Sequence, residues 1–303
     1  YLVGKAYSAN KETVEVLAQK GVYVQPIIYD SYKSFDSQHR KNIVDLLSHV
    51  KKTRDLSKLE KVIVLDDGGK LLSVASEEFE DFSNIYGIEQ TSSGIETIKW
   101  LDLQYPVINE ARSKAKLNIE SPFIAEAVLD RLRKHLNVSQ RILVLGNGVI
   151  GNSIYESLKQ NYNVTRYDVR KNRSDLKDLS KLGEFDVIVG CTGKTSVSPD
   201  MFKYLKKDVT LASASSSDVE FSGAYLRRLA PQSTNPHENV VVTDIHLLNS
   251  GFPVNFDGSL HSVAPEKIQF TRALLFSAVC ESGKTKKNGI VGLNQNLQDK
   301  LIS

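Results

Sequence analysis

Three glycines, Gly146-x-Gly148-x-x-Gly151, close the apolar run Arg141–Leu145 and open onto an amphipathic stretch, 152–160. That order reads as strand, phosphate turn and helix. The first glycine makes the tight turn, the second lets backbone approach a pyrophosphate, and the third lets helix pack on strand. Backbone N–H groups from Gly146 through Val149 and Ile150 to Gly151 would then face the anion at the helix start. A second apolar run, 162–168, ends on Asp168, where a carboxylate could accept hydrogen bonds from an adenosine ribose. This favours NAD; the basic neighbours Arg166, Arg170 and Lys171 keep open a 2′-phosphate and therefore NADP.

Other residues with chemical potential cluster after short apolar runs. Asp66-Asp67-Gly68-Gly69 could orient a hydroxyl or take a proton, although an Asp-Gly turn explains it equally well. The hydroxyls of Glu89-Gln-Thr-Ser-Ser-Gly94 could meet a cofactor amide, but helix capping is their commoner use. Lys114 and Lys116 lie on a helical stretch, where a lone lysine is usually solvated. Cys191-Thr-Gly193 offers small residues beside a dinucleotide, with Cys191 expected to be buried and inert. Of the six histidines, His261 is best placed to face a cleft, although a surface histidine is the more frequent outcome.

These positions need a scaffold, and the pattern supplies one. Apolar runs at 2–4, 22–28, 62–65 and 86–88 alternate with helical patterns at 11–20, 40–50 and 71–82. A helix over 94–103, a strand at 106–109 and helical stretches on either side of Pro122 follow. Further strands are expected at 186–190, 209–213, 240–243 and 245–248, then a helix over 265–281 and a polar end with a short helix. The alternation implies α/β architecture: two domains, each a parallel sheet with helices on both faces, the Rossmann-type NAD domain inserted into a substrate domain. The expected divisions are 1–122 (substrate domain), 123–261 (NAD domain) and 262–303 (crossing helix and return).

At 303 residues the chain has room for two domains. Its 39 basic and 36 acidic residues give a formal charge of +3, which argues for neither nucleic acid nor a membrane surface as partner. Two cysteines without metal-ligand spacing imply no metal and no disulfide framework, and so a reducing cytoplasm. No signal peptide is visible, and the first residue is Tyr1 rather than Met.

Taken in order, Leu65-Asp-Asp-Gly-Gly69, Glu89-Gln-Thr-Ser-Ser-Gly94, Pro106-Val-Ile-Asn109, Lys114-Ala-Lys116, the glycine turn, Cys191-Thr-Gly193, Asp218-Val-Glu220 and 247–255 resemble the S-adenosylhomocysteine hydrolase family over nearly the whole chain. The resemblance implies a held NAD that oxidises the substrate's 3′-hydroxyl, elimination of the 5′-thiol, hydration and return of the hydride. By residue it places Lys114 at the 3′-hydroxyl, Asp67 near the C4′ proton and His261 on a family histidine. It puts Thr91, Ser92, Ser93 and Asn255 at the nicotinamide end, and Glu12 near the adenine. It also implies a homodimer or homotetramer.

The departures fall on substrate chemistry. The family histidine at the 5′ position falls near Tyr7-Ser8, its second glutamate is Gln90, the aspartate four after the lysine is Asn118, and another histidine is Ser216. Amides keep hydrogen bonds but cannot exchange protons. Lys114 could still take a hydroxyl proton if burial favours its neutral amine. The expectation is an NAD-dependent enzyme acting by reversible hydride transfer on a nucleoside or similar small polar substrate, without efficient thioether hydrolysis. Alternatives are a genuine hydrolase with a rebuilt site and a silent NAD-binding regulatory or assembly protein. A hydroxyacid dehydrogenase would need an Arg, Glu and His set that the sequence does not display.

Overall fold

The computed structural model describes residues 1–230, 232, 234–259, 263–285 and 287–302, without the side chains of residues 115, 118, 121 and 302. In chain order the elements are β1 (Leu2–Val3), α1 (Lys11–Gln19), β2 (Val24–Gln25), α2 (Phe35–Thr53), β3 (Val62–Asp66), α3 (Lys70–Glu78), β4 (Ile85–Glu89), α4 (Ser92–Ile98), β5 (Pro106–Asn109) and α5 (Lys114–Leu132). There follow β6 (Arg141–Leu145), α6 (Val149–Leu158), β7 (Asn163–Tyr167), β8 (Val187–Gly190), β9 (Val209–Ser213), α7 (Gly223–Leu229), β10 (Val240–Val242), β11 (Ile245–Leu247), α8 (Gln269–Glu281), β12 (Gly289–Gly292) and α9 (Gln295–Ile302). The class is α/β.

The first large sheet is parallel in the order β12-β5-β4-β3. Neighbouring residues of a strand point to opposite faces. Val107 of β5 thus joins Ile43, Leu47, Leu72 and Ile85 under α2 and α3, while Ile108 joins Leu274, Ala278 and Leu293 under α8 and α9. β12 was not expected. Its short Gly289-Ile-Val-Gly292 run becomes a strand by pairing along the open edge of β5.

The second sheet runs β10-β11-β9-β8-β6-β7, parallel except for the β10–β11 pair. Ile142 and Val144 face α5 and α6, whereas Leu143 and Leu145 face Phe185, Phe221 and Leu226. All four strand residues are fully buried, each worth about 1.5–3 kcal/mol of apolar transfer. The chain passes from β6 to β7 on one side and later to β8 on the other. Ligands of open α/β sheets gather at such a switch, outside the strand carboxyl ends.

α5 links the two sheets. Its start meets residues following β4 and β5, and its later residues Ala125, Val128, Leu129 and Leu132 pack into the second sheet's core. Pro122 does not interrupt it: the helix runs through, with Pro122 exposed. α4 ends at Ile98, short of the expected Leu103. The expected strand over 22–28 reduces to Val24–Gln25, paired with β1.

Candidate functional site: a cleft over the glycine turn

The turn after β6 is built as its glycines require. Gly146 has φ +91°, and a Cβ there would come within 2.9 Å of the Cys191 carbonyl oxygen. At Gly151 a Cβ would fall 1.9 Å from the Gly146 oxygen, so α6 lies on the turn at a distance only glycine permits. Gly148 differs, since a Cβ there meets nothing within 4 Å. Its backbone therefore borders open space at the N-terminus of α6, the cradle that an approaching phosphate requires.

Asp168 follows β7 and is buried. Its carboxylate accepts from the backbone N–H of Asn147 at 2.8 Å and that of Arg170 at 2.9 Å. The Arg170 guanidinium adds Nε at 2.8 Å and Nη2 at 3.0 Å, and holds the carboxyl far below the usual carboxylate range. The group placed for a ribose is thus occupied by a half-exposed arginine.

The opposite wall comes from β8. Thr192 and Gly193 donate their N–H groups to the fully buried carboxylate of Glu220 at 3.1 and 3.0 Å, which shapes the loop. Burial pushes the Cys191 thiol far up, which favours the protonated thiol over the nucleophilic thiolate. Thr91 caps α4, accepting from the Gly94 N–H at 3.0 Å and donating to Glu89 at 2.6 Å. Glu89 also accepts from the N–H groups of Gly68 and Gly69; burial, then the neighbouring Asp66, pushes it up to about 8.

These walls enclose a cleft of about 600 Å³. Gly148, Val149, Ile150, Thr91, Ser92, Ser93, Cys191, Thr192, Gly193 and Asn255 line it, together with Asp67 and Gln90. The two acids after β3 have separate uses. Asp66 is buried and accepts from the Leu72 N–H at 2.8 Å, whereas Asp67 opens on the cleft and pairs with Lys5 at 3.3 Å.

The lysine is the principal correction. Lys114 begins α5 with its side chain in solvent and does not line the cleft. Residues two apart on a helix point about 200° apart, and Lys116 takes the inward direction. Its Nζ donates to the Gln90 carbonyl oxygen and lies 2.9 Å from Glu110 and 3.3 Å from Glu120. Ser113 fixes that phase by accepting from the Lys116 N–H at 3.2 Å. The residue four after Lys114 is the amide Asn118, whereas Lys116 has an acid at that spacing, Glu120, on the same helix face.

Glu12 sits exposed in the first turn of α1 and does not line the cleft. His261 lies outside the described residues, as does the side chain of Asn118. Tyr7 and Ser8 line the cleft with Ser215 and Ser216. Tyr7 is buried against Phe252 with ring centroids 4.9 Å apart. Lys5, Glu110, Arg112 and Glu120 carried no sequence signal as a group, except the i, i+4 spacing of Lys116 and Glu120. Among the described residues no cluster of His, Cys, Asp or Glu could hold a metal, and no helix is long and apolar enough to cross a membrane.

No family model matches the chain. It is 38% identical over 289 residues to uncharacterized proteins from two strains of Mycobacterium tuberculosis, matching 92% of this chain and 57% of theirs. The chain thus spans little more than half the length of the curated relatives it matches. Among solved structures, the Staphylococcus aureus NAD-dependent formate dehydrogenase, determined with NAD, is 16% identical with a TM-score of 0.40 over 72% of this chain and 71% of that one. A 2-hydroxyacid dehydrogenase of Ketogulonicigenium vulgare is 11% identical with a TM-score of 0.48, covering 78% and 85%. Likeness of that degree carries no argument about chemistry.

Proposed function

We propose that this chain is an adenosylhomocysteinase-like NAD-dependent enzyme that moves a hydride reversibly at a hydroxyl of a nucleoside or similar small polar substrate. The observation that carries the reading is that one cleft contains both the open backbone at Gly148 and the charged group of Lys116, Glu120 and Asp67. The glycine turn would hold the pyrophosphate, Asp168 the adenosine ribose once Arg170 moves aside, and Thr91, Ser92, Ser93 and Asn255 the nicotinamide end. When bound, the nicotinamide supplies a hydride acceptor. The chain's own groups then orient the substrate hydroxyl at Lys116, while Leu117, Phe123, Ile124 and Phe256 exclude water from the cleft. Thioether hydrolysis further requires acid-base work at a second carbon. Tyr7, Ser8 and Ser216, which line the same cleft, offer hydroxyls, which supports oxidation without efficient hydrolysis.

The test supplies purified protein with NAD and either adenosine or S-adenosylhomocysteine, and follows nicotinamide absorbance and free thiol together. The reading expects NADH without thiol, abolished in Lys116→Met while cofactor affinity is kept. Thiol release would favour the hydrolase instead, and absence of both signals would remove the reading.

A further inference from the structure

Behind the cleft-lining Lys116 and Glu120 lies a group that the reaction as described does not use. Glu110 follows β5, its side chain is 0% exposed, and it does not line the cleft. Its backbone is pinned: the Glu110 N–H donates to the Glu89 carbonyl at 3.1 Å, and its own carbonyl accepts from the Ser113 N–H at 3.0 Å. One carboxyl oxygen, Oε2, accepts from Lys116 Nζ at 2.9 Å, and the other, Oε1, is buried with no hydrogen-bond partner. A buried carboxylate oxygen left without a donor is expensive, and a proton on that carboxyl lessens the cost by removing the buried charge.

Resting on the hydride-transfer reading, we propose that Glu110 is the proton acceptor behind Lys116. An ammonium set among carboxylates cannot itself accept a proton until it has passed one on. One Nζ proton crosses the 2.9 Å hydrogen bond to Glu110 Oε2, and the lone pair this frees on Lys116 takes the hydroxyl proton as the carbon-bound hydrogen leaves as hydride for the nicotinamide. The substrate alcohol becomes a carbonyl, the lysine remains an ammonium, and Glu110 changes from carboxylate to carboxylic acid. The reverse reaction runs the same relay backwards.

The surroundings suit a group that exchanges its proton near neutrality. Burial raises Glu110 to about 7; the Lys116 charge opposes that rise and Glu120 adds to it. Lys116 and Glu120 both project from α5, while the Glu89 carboxylate is turned away onto Gly68, Gly69 and Thr91. Glu110 touches neither substrate nor cofactor. It is a positioning and proton-holding residue that acts through Lys116.

Difference infrared spectroscopy across pH 5–9 tests this on the whole protein without substrate. Two carboxylic-acid signals are expected in the wild type, Glu110 with a midpoint near 7 and Glu89 near 8; Glu110→Gln should lose the first and keep the second, with NADH binding unchanged. Glu120→Gln should lower the first midpoint, which assigns that signal even where Glu110→Gln does not fold. In the NAD reduction assay with adenosine, Glu110→Gln keeps an acceptor for Nζ, so a merely structural role would leave rate and pH profile intact. The relay expects at least a tenfold loss and a flattened profile through pH 7. A titration unchanged by either variant, or a Glu110→Gln protein with wild-type rate and profile, overturns the relay alone. A titrating Glu110 in a protein that binds no NADH overturns the cofactor reading, and the relay with it.

Discussion

Gly148 and Gly151 belong to one turn, yet the structure predicts opposite fates for their alanine variants. At Gly148 the added methyl meets nothing within 4 Å, and φ is −77°, which alanine adopts freely. The fold should barely respond, with a stability change within about 0.5 kcal/mol and a Tm shift of about 2 °C or less. The methyl would stand where a phosphate must approach backbone. Losing one charge-assisted N–H contact there costs roughly 1.5–3 kcal/mol, or on the order of 10- to 100-fold in Kd. At Gly151 the methyl would overlap the Gly146 oxygen at 1.9 Å, so α6 must move. Overpacking of that kind costs about 1–3 kcal/mol or more, and Tm should fall by several degrees. Thermal unfolding and NADH fluorescence titration on both variants separate the cases. A Gly148→Ala protein that binds NADH as tightly as wild type would refute the assignment of this turn to a ligand.

Arg170→Ala removes two guanidinium bonds from Asp168 and frees its carboxylate for a ribose. NADH affinity should rise by about 2- to 10-fold with no gain for NADPH, since one net hydrogen bond is worth about 0.5–1.5 kcal/mol; weaker NADH binding would place the ribose elsewhere. Arg227 is fully buried, donating to the carbonyls of Ser31, Lys33 and Ser250 and to Asp218 at 2.6 Å. Arg227→Met strands the Asp218 carboxylate, and the urea midpoint should drop by the equivalent of about 3–5 kcal/mol; an unchanged midpoint would deny that this pair fastens the loop at 31–33 to the second sheet. The raised Glu110 carboxyl makes the folded state hold a proton that the unfolded chain has already released above its ordinary value of 4.5. Its contribution is therefore present at mildly acid pH and declines as pH rises toward about 7, so Tm of Glu110→Gln should fall less than that of wild type over this interval.

The parts that were legible in the sequence are those where a single local rule suffices. Ile142 to Leu145 form a run buried on both faces, and the glycines that follow have a geometry no other residue allows, so strand, turn and helix could all be read together. Lys116 was missed because two lysines two residues apart leave the helix phase open until Ser113 caps it and Gln90, from another strand end, offers its carbonyl. Asp66 and Asp67 look alike in sequence, and only the return of α3 onto Asp66 separates a structural acid from a cleft acid. β12 depends on an edge that β5 presents from far along the chain.

The central claim is that a nicotinamide dinucleotide lies over the start of α6 and reaches into the cleft that Lys116 borders. The most direct measurement is titration of the purified protein with NADH, followed by cofactor fluorescence and checked by native mass spectrometry. The account predicts saturable binding of one dinucleotide per chain, displaced by NAD and weakened by Gly148→Ala. No saturable binding of NADH or NAD to the folded protein would contradict it.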